Sequence, residues 1–202
     1  MAYTQNSRSY SGGKYGLELD HTMAGWIKEV DGGHAVADVV EEKMGSDHLT
    51  RKHLGNVQYD EVTFKCGTGM SKGVYEWIKT GFDQSSNTRG RENGAVLFAD
   101  YDQSEIARLT FQHALLSEYT LPALDAGSKD AAMMTIKFKP ETARKERGKG
   151  TKITMPANAA AQKKWLPSNF KLEIDGMNCD RVSKIEALTV KQKIVVDSVG
   201  QR

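Results

Sequence analysis

Seven consecutive residues are the first candidates for chemistry. Gly67-Thr68-Gly69-Met70-Ser71-Lys72-Gly73 lies between an alternating apolar run and a helix-periodic one. Backbone N–H groups cradle phosphate at that position in nucleotide-binding loops. The residue order does not suit the task. A phosphate loop closes on Gly-Lys-Ser/Thr, whereas Lys72 here precedes Gly73, and a dinucleotide fingerprint needs its third glycine where Lys72 stands. The stretch reads as a tight turn with Ser71 as the N-cap of a helix. His48 and His53 are too far apart for a helical metal pair, have no cysteine beside them, and share a basic segment with Arg51 and Lys52 that repels cations. His21, His34 and His113 lack an adjacent acid and nucleophile in a recognisable arrangement. No catalytic, metal-binding or cofactor-binding residue is expected.

Charge narrows the partners. The chain has 28 Lys+Arg against 26 Asp+Glu, a net charge of +2, too little to drive it as a whole onto nucleic acid or anionic lipid. The local basic clusters, Arg51 with Lys52, Arg89 with Arg91, and Arg144 to Lys149, are short and carry no interleaved aromatics. They read as solvated or subunit-contact surface, and no specific nucleic-acid binding is expected. The two cysteines, Cys66 and Cys179, read as reduced thiols of a cytoplasmic setting. The polar stretch Met1 to Ser7 lacks the apolar run of a signal peptide, and no apolar run reaches membrane-spanning length, so no membrane insertion is expected.

The elements that would position these residues are mostly strands. Leu17 and Leu19 alternate with Glu18 and Asp20, Val62-Phe64-Cys66 with Thr63 and Lys65, and Met134-Ile136-Phe138 with Thr135 and Lys137; period two is the mark of a strand with one buried face. Asp31-Gly32-Gly33 reads as a turn between strands, and residues 43–56 as a long exposed loop. Ala95 to Tyr101 is apolar enough for a strand covered on both faces. One helix is expected after residue 71. Val74, Trp77, Ile78 and Phe82 fall on one helical stripe and read as core anchors rather than pocket lining. Many short strands with one helix and no repeated βαβ unit make a mainly β (α+β) fold, a split barrel or sandwich of antiparallel strands.

Four regions follow: a flexible arm over 1–12, a main domain over 13–140, a basic, glycine-containing linker over 141–165 with a short helix around 157–165, and an extension over 166–202. The extension echoes the start of the chain. Leu172-Glu173-Ile174-Asp175 matches Leu17-Glu18-Leu19-Asp20, and Arg181 to Ile185 and Gln192 to Val196 follow Trp26 to Val30 and Val36 to Val40 at offsets of 155–156. It therefore reads as a partial second repeat that needs another surface to pack on.

Three segments together resemble the inner tube proteins of contractile phage tails and extracellular contractile injection systems. They are His48 to Gly67, the helix around Tyr75-Glu76-Trp77-Ile78, and Leu109 to Ala126 followed by Met133 to Phe138. The resemblance spans about residues 14–140. It implies a structural role, with six copies closing into a ring around a channel and rings stacking into a tube. It also implies contractile sheath and baseplate or cap proteins as partners, cytoplasmic assembly, and a place in a phage tail or tail-like particle. Because the family sets an extended loop against the next ring, Asp47, His48, Arg51, Lys52 and His53 become the expected ring-stacking contact. The longer chain suggests a tube-initiating, baseplate-proximal or cap-proximal ring. Two other readings stand beside this one: a secreted ring-forming carrier or effector adaptor, and a phosphate-binding enzyme built on residues 67–73.

Overall fold

The computed structural model describes residues 13–43, 50–83, 90–154, 165–179 and 181–195. The expected arm, most of the expected short helix around 157–165, and Asp47 and His48 lie outside them. The chain opens with strands β1 (Lys14–Leu19) and β2 (Thr22–Asp31), joined by a two-residue turn at Asp20 and His21. Both turn residues have positive φ, 44° and 61°, the twist that suits a tight hairpin. Next come β3 (Ala35–Lys43), β4 (Thr50–Tyr59) and β5 (Val62–Cys66), then helix α1 (Lys72–Phe82). Strands β6 (Glu92–Ala99), β7 (Glu105–Leu121), β8 (Leu124–Asp125), β9 (Met134–Lys139) and β10 (Thr142–Arg147) follow, and β11 (Lys184–Ile185) and β12 (Leu188–Lys191) end the order.

Six of these strands close on themselves. The ladder runs β7-β6-β1-β2-β5-β9, and β9 pairs back onto β7. The result is a closed antiparallel barrel, which leaves no edge around its circumference. The predicted alternations fill its interior: Leu17, Val62, Phe64, Cys66, Val96, Phe111, Met134, Ile136 and Phe138 are fully buried. Phe138 sits at the centre, with the rings of Phe111, Trp77 and Phe64 at 4.7, 5.6 and 6.1 Å. Burial there raises the Cys66 thiol to about 12, which makes it an inert apolar filler.

Helix α1 packs its stripe on this cluster. Val74 and Trp77 are buried, with Ile78 and Phe82 half-buried against the same residues. Trp77 donates Nε1–H to the Gly90 carbonyl at 2.7 Å. Ser71 stands at the N-cap in an extended conformation, yet its side chain makes no capping bond. Its backbone N–H instead donates to the Ala24 carbonyl at 2.7 Å and ties the turn to β2.

Strand β7 is the spine. Its first half pairs with β6 on one edge and β10 on the other; its second half pairs with β9 and, opposite, β12. The halves meet at His113, which has φ +51°. Strands β9 and β10 hold one register against β7 across Pro140, since Leu115 faces Lys139 and Gln112 faces Thr142.

The structure corrects three expectations. Residues 50–56 are not loop: they belong to β4, which forms a long hairpin with β3. Water wets both faces there, so the sequence lacks the polar/apolar contrast that marks a strand. The basic run from Arg144 is likewise strand, not linker. Backbone pairing with β7 fixes it, and exposed charge is compatible with an edge. The echoed C-terminal segments do not rebuild the first strands, either. Strand structure falls at 184–185 and 188–191 rather than at 172–175 or 192–195, placed by the open edges of β8 and β7.

Candidate assembly interface

The β3–β4 hairpin is a sheet of its own, separate from the barrel ladder. Two glycines launch it. At Gly32, φ +92°, a Cβ would stand 1.9 Å from the Glu61 carbonyl oxygen, so only glycine fits this exit from β2. Along the hairpin Ala37 faces Val57, Val39 faces Leu54, Val40 faces His53, Glu41 faces Lys52 and Glu42 faces Arg51. Five large apolar side chains are exposed: Val36, Val39, Val40, Val57 and, at 79 %, Leu54. Ala37 and Val39 lie two apart on β3 and share a face; their partners Val57 and Leu54 stand opposite them, three apart on β4 across an irregularity in the register.

Of the five predicted interface residues the structure describes Arg51, Lys52 and His53, together on β4. Lys52 pairs with Glu41 at 3.1 Å and His53 with Glu42 at 3.4 Å, all exposed. Such exposed pairs contribute ~0–1 kcal/mol to their own chain. They leave an outer half of mixed charge and an inner half where Val36, Val39, Leu54 and Val57 stand exposed beside Asp38, Asn56 and Gln58. A cleft of about 370 Å³ at the root of the hairpin is lined by Val36, Asp38, Gln58, Asp60, Glu61 and Lys139 among others.

The 67–73 turn lies against β2 and the helix. Met70 is buried, and the Ser71 N–H donates to the Ala24 carbonyl, so one backbone donor of this turn is committed to β2. Among the described residues no group of three or more His, Cys, Asp or Glu is placed to hold a metal ion. No helix among them is long and apolar enough to cross a membrane.

Sequence reading missed one cluster. Glu105, 3 % exposed, accepts hydrogen bonds from Arg108 Nε at 2.6 Å and Nη2 at 3.0 Å, and Glu18 lies 3.7 Å from the same guanidinium. The Arg108 hydrogen bonds hold the Glu105 carboxyl below its ordinary value against the opposing effect of burial, helped by the Arg108 charge and the Lys149 N–H. The pair locks the start of β7 to residues 148–151, where Gly150 N–H reaches the Glu105 carbonyl and Glu105 N–H the Thr151 carbonyl. A bulge between Phe98 and Ala99 shifts the register of β7 by one residue and brings positions 105 and 108 to one face, which no strict alternation would suggest.

A closed six-strand barrel, one helix against its core and a projecting hairpin can be compared with known proteins. The family model described as T4-like virus tail tube protein gp19 matches residues 13–144. The chain belongs to this tail tube family. Solved structures share this fold, among them the following three. A chain of the anti-feeding prophage tube-terminating cap matches at 17% identity and TM-score 0.56, over 73% of this chain and 100% of that one. A chain of the sheath–tube complex of the PVC extracellular contractile injection system, in its extended state, matches at 14% and 0.58, over 72% and 99%. One from the anti-feeding prophage baseplate matches at 14% and 0.57, over 71% and 99%. No curated protein matches. The matched region ends at residue 144, before β11 and β12. The protein is a structural tail tube component.

Proposed function

We propose that this chain forms six-membered rings that stack axially into a tube or cap it, inside a sheath-bearing contractile particle. The β3–β4 hairpin is the contact between rings. One observation carries this reading: a two-stranded hairpin stands clear of the barrel with five large aliphatics exposed. An isolated hairpin is marginal in water, and large aliphatics exposed on both of its faces, Val39, Leu54 and Val57 on one and Val36 and Val40 on the other, mark an element that is covered in use. The tip charges Arg51, Lys52 and His53, with Glu41 and Glu42 opposite, offer both signs for registering one ring on the next. The residues beyond the matched region favour a specialised ring near the baseplate or cap over a plain tube segment. Negative-stain microscopy of the purified chain is the test. Rings or stacked tubes with a central hole are expected; a protein that stays monomeric at high concentration refutes the proposal.

A further inference from the structure

We propose that the edge of β7 from Ser117 to Leu121 is a pairing edge for a second copy of this chain, and that β12 covers it until assembly. This rests on the ring-forming role proposed above and goes beyond it by assigning a purpose to the C-terminal segment beyond the matched region.

The edge is defined by its neighbours. The β6 ladder along β7 stops at Ala114. Beyond it the same edge is taken by β12, with Leu188, Thr189, Val190 and Lys191 opposite Leu121, Thr120, Tyr119 and Glu118, and by Gln192, whose N–H donates to the Ser117 carbonyl at 2.9 Å. The opposite edge already belongs to β9. Without β12, β7 would present a run of unpaired N–H and C=O groups, the template on which another strand adds.

The cover is built to leave. All four β12 residues are exposed, Leu188 at 55 % and Val190 at 50 %, and of the described residues over 165–195 only Pro167 is buried. Departure therefore uncovers little apolar surface. What holds the strand is its ladder, the Thr120–Thr189 hydroxyl pair at 3.1 Å, Lys191 on Glu118 at 3.0 Å, and the Gln192 amide, which donates to the carbonyls of Leu116 and Gly81. All but the Gln192 amide are contacts that another strand supplies in kind, so the exchange is close to balanced and protein concentration tips it.

The second copy has a strand that fits. β10 pairs with β7 on one side and ends the sheet, with no further strand on its other side among the described residues. Its Thr142-Ala143-Arg144 repeats the Thr–apolar–basic order of Thr189-Val190-Lys191, and it already pairs antiparallel with the first half of β7. Glu118 draws two ammonium groups, Lys137 at 3.1 Å and Lys191, and an arriving Arg144 or Lys145 replaces the one that departs. An edge of one copy on the edge of the next is a head-to-tail contact, the kind that closes a ring.

A reversible lock tests this on the full chain. Thr120→Cys and Thr189→Cys, with Cys179→Ser to remove a competing thiol, put sulfurs where hydroxyls now touch, within disulfide reach. Oxidised, the variant is expected to form an intrachain disulfide and to drop at least ~10-fold in sedimentable assembly; dithiothreitol restores it. Gln192→Ala, which loosens the cover without adding thiols, is expected to assemble at several-fold lower protein concentration. The proposal is overturned if locked protein assembles like reduced protein, if the disulfides run between chains, or if Gln192→Ala needs as much protein as wild type. Absence of rings from wild type itself strikes the ring-forming role instead, so the two failures are distinguishable.

Discussion

Leu54→Glu separates the stability of the subunit from that of the assembly. Leu54 is 79 % exposed on β4 opposite Val39, so the isolated chain gains almost nothing from it. Surface substitutions of this kind change stability by ~0.5 kcal/mol or less. For a domain of this size that moves Tm by about 2 °C at most. At the proposed contact between rings the same side chain is covered. Burying a leucine is worth ~1.5–3 kcal/mol, and roughly four-fifths of that is still to be gained on docking. A carboxylate in the same place forfeits this and adds a desolvation cost of several kcal/mol. The sum is at least ~4 kcal/mol per contact, a loss of about 10³-fold in affinity at ~1.4 kcal/mol per decade. Scanning fluorimetry with sedimentation and negative-stain microscopy reads both quantities. The expected result is an unchanged melt with stacking abolished. Stacking at the wild-type concentration, or a Tm lowered by more than about 4 °C, refutes the reasoning: the first because the hairpin is not covered, the second because Leu54 packs on its own chain.

Three further outcomes follow from the same geometry. Arg51→Glu with Lys52→Glu sets like charges opposite Glu42 and Glu41, each worth ~0.2–1 kcal/mol of local repulsion; the monomer stays folded and tubes become short or rare, and normal-length tubes count against the contact. Trp77→Phe keeps a buried ring but strands the Gly90 carbonyl, which costs about 1–3 kcal/mol and lowers Tm by several degrees in a thermal melt. Acid titration of stability probes Glu105, whose folded carboxyl lies below its ordinary 4.5. A depressed carboxylate contributes stability above the unfolded value and loses it as pH falls through the folded one. Glu105→Gln should therefore destabilise at pH 7, and the gap to wild type should close as the pH drops below about 4.5; a gap independent of pH contradicts the assignment.

The barrel was legible because its strands each have one dry face. Leu17 and Leu19, Val62 to Cys66 and Met134 to Phe138 alternate strictly, and the stripe from Val74 to Phe82 marks the helix. The second strand of the hairpin was illegible for the converse reason. With solvent on both sides, β4 carries Arg51, Lys52 and His53 beside Leu54 and reads as loop. Strand β10 was hidden because a backbone ladder, not an apolar face, holds Thr142 to Arg147 in place. The Glu105–Arg108 pair escaped because a bulge changes which positions share a face. Arg51 to His53, read as part of a loop, lie on strand β4 next to the exposed Leu54, whose exposure no alternation signalled.

The spine strand has a consequence for how a newly made chain reaches this shape. β7 finds β6 close behind it, but its other barrel neighbour, β9, begins only at Met134, and β9 is also the sole strand that joins β7 to β5. Until the ribosome has released residues 134–139, two margins of a half-rolled sheet face the cytosol, with Phe64, Phe111 and Leu116 unsheltered between them. Pairings so distant along the chain form late, and the species that waits for them is the one prone to clump. A nascent tail tube subunit of this design therefore depends on chaperone cover, or on speed of synthesis, across the stretch between Leu121 and Lys139.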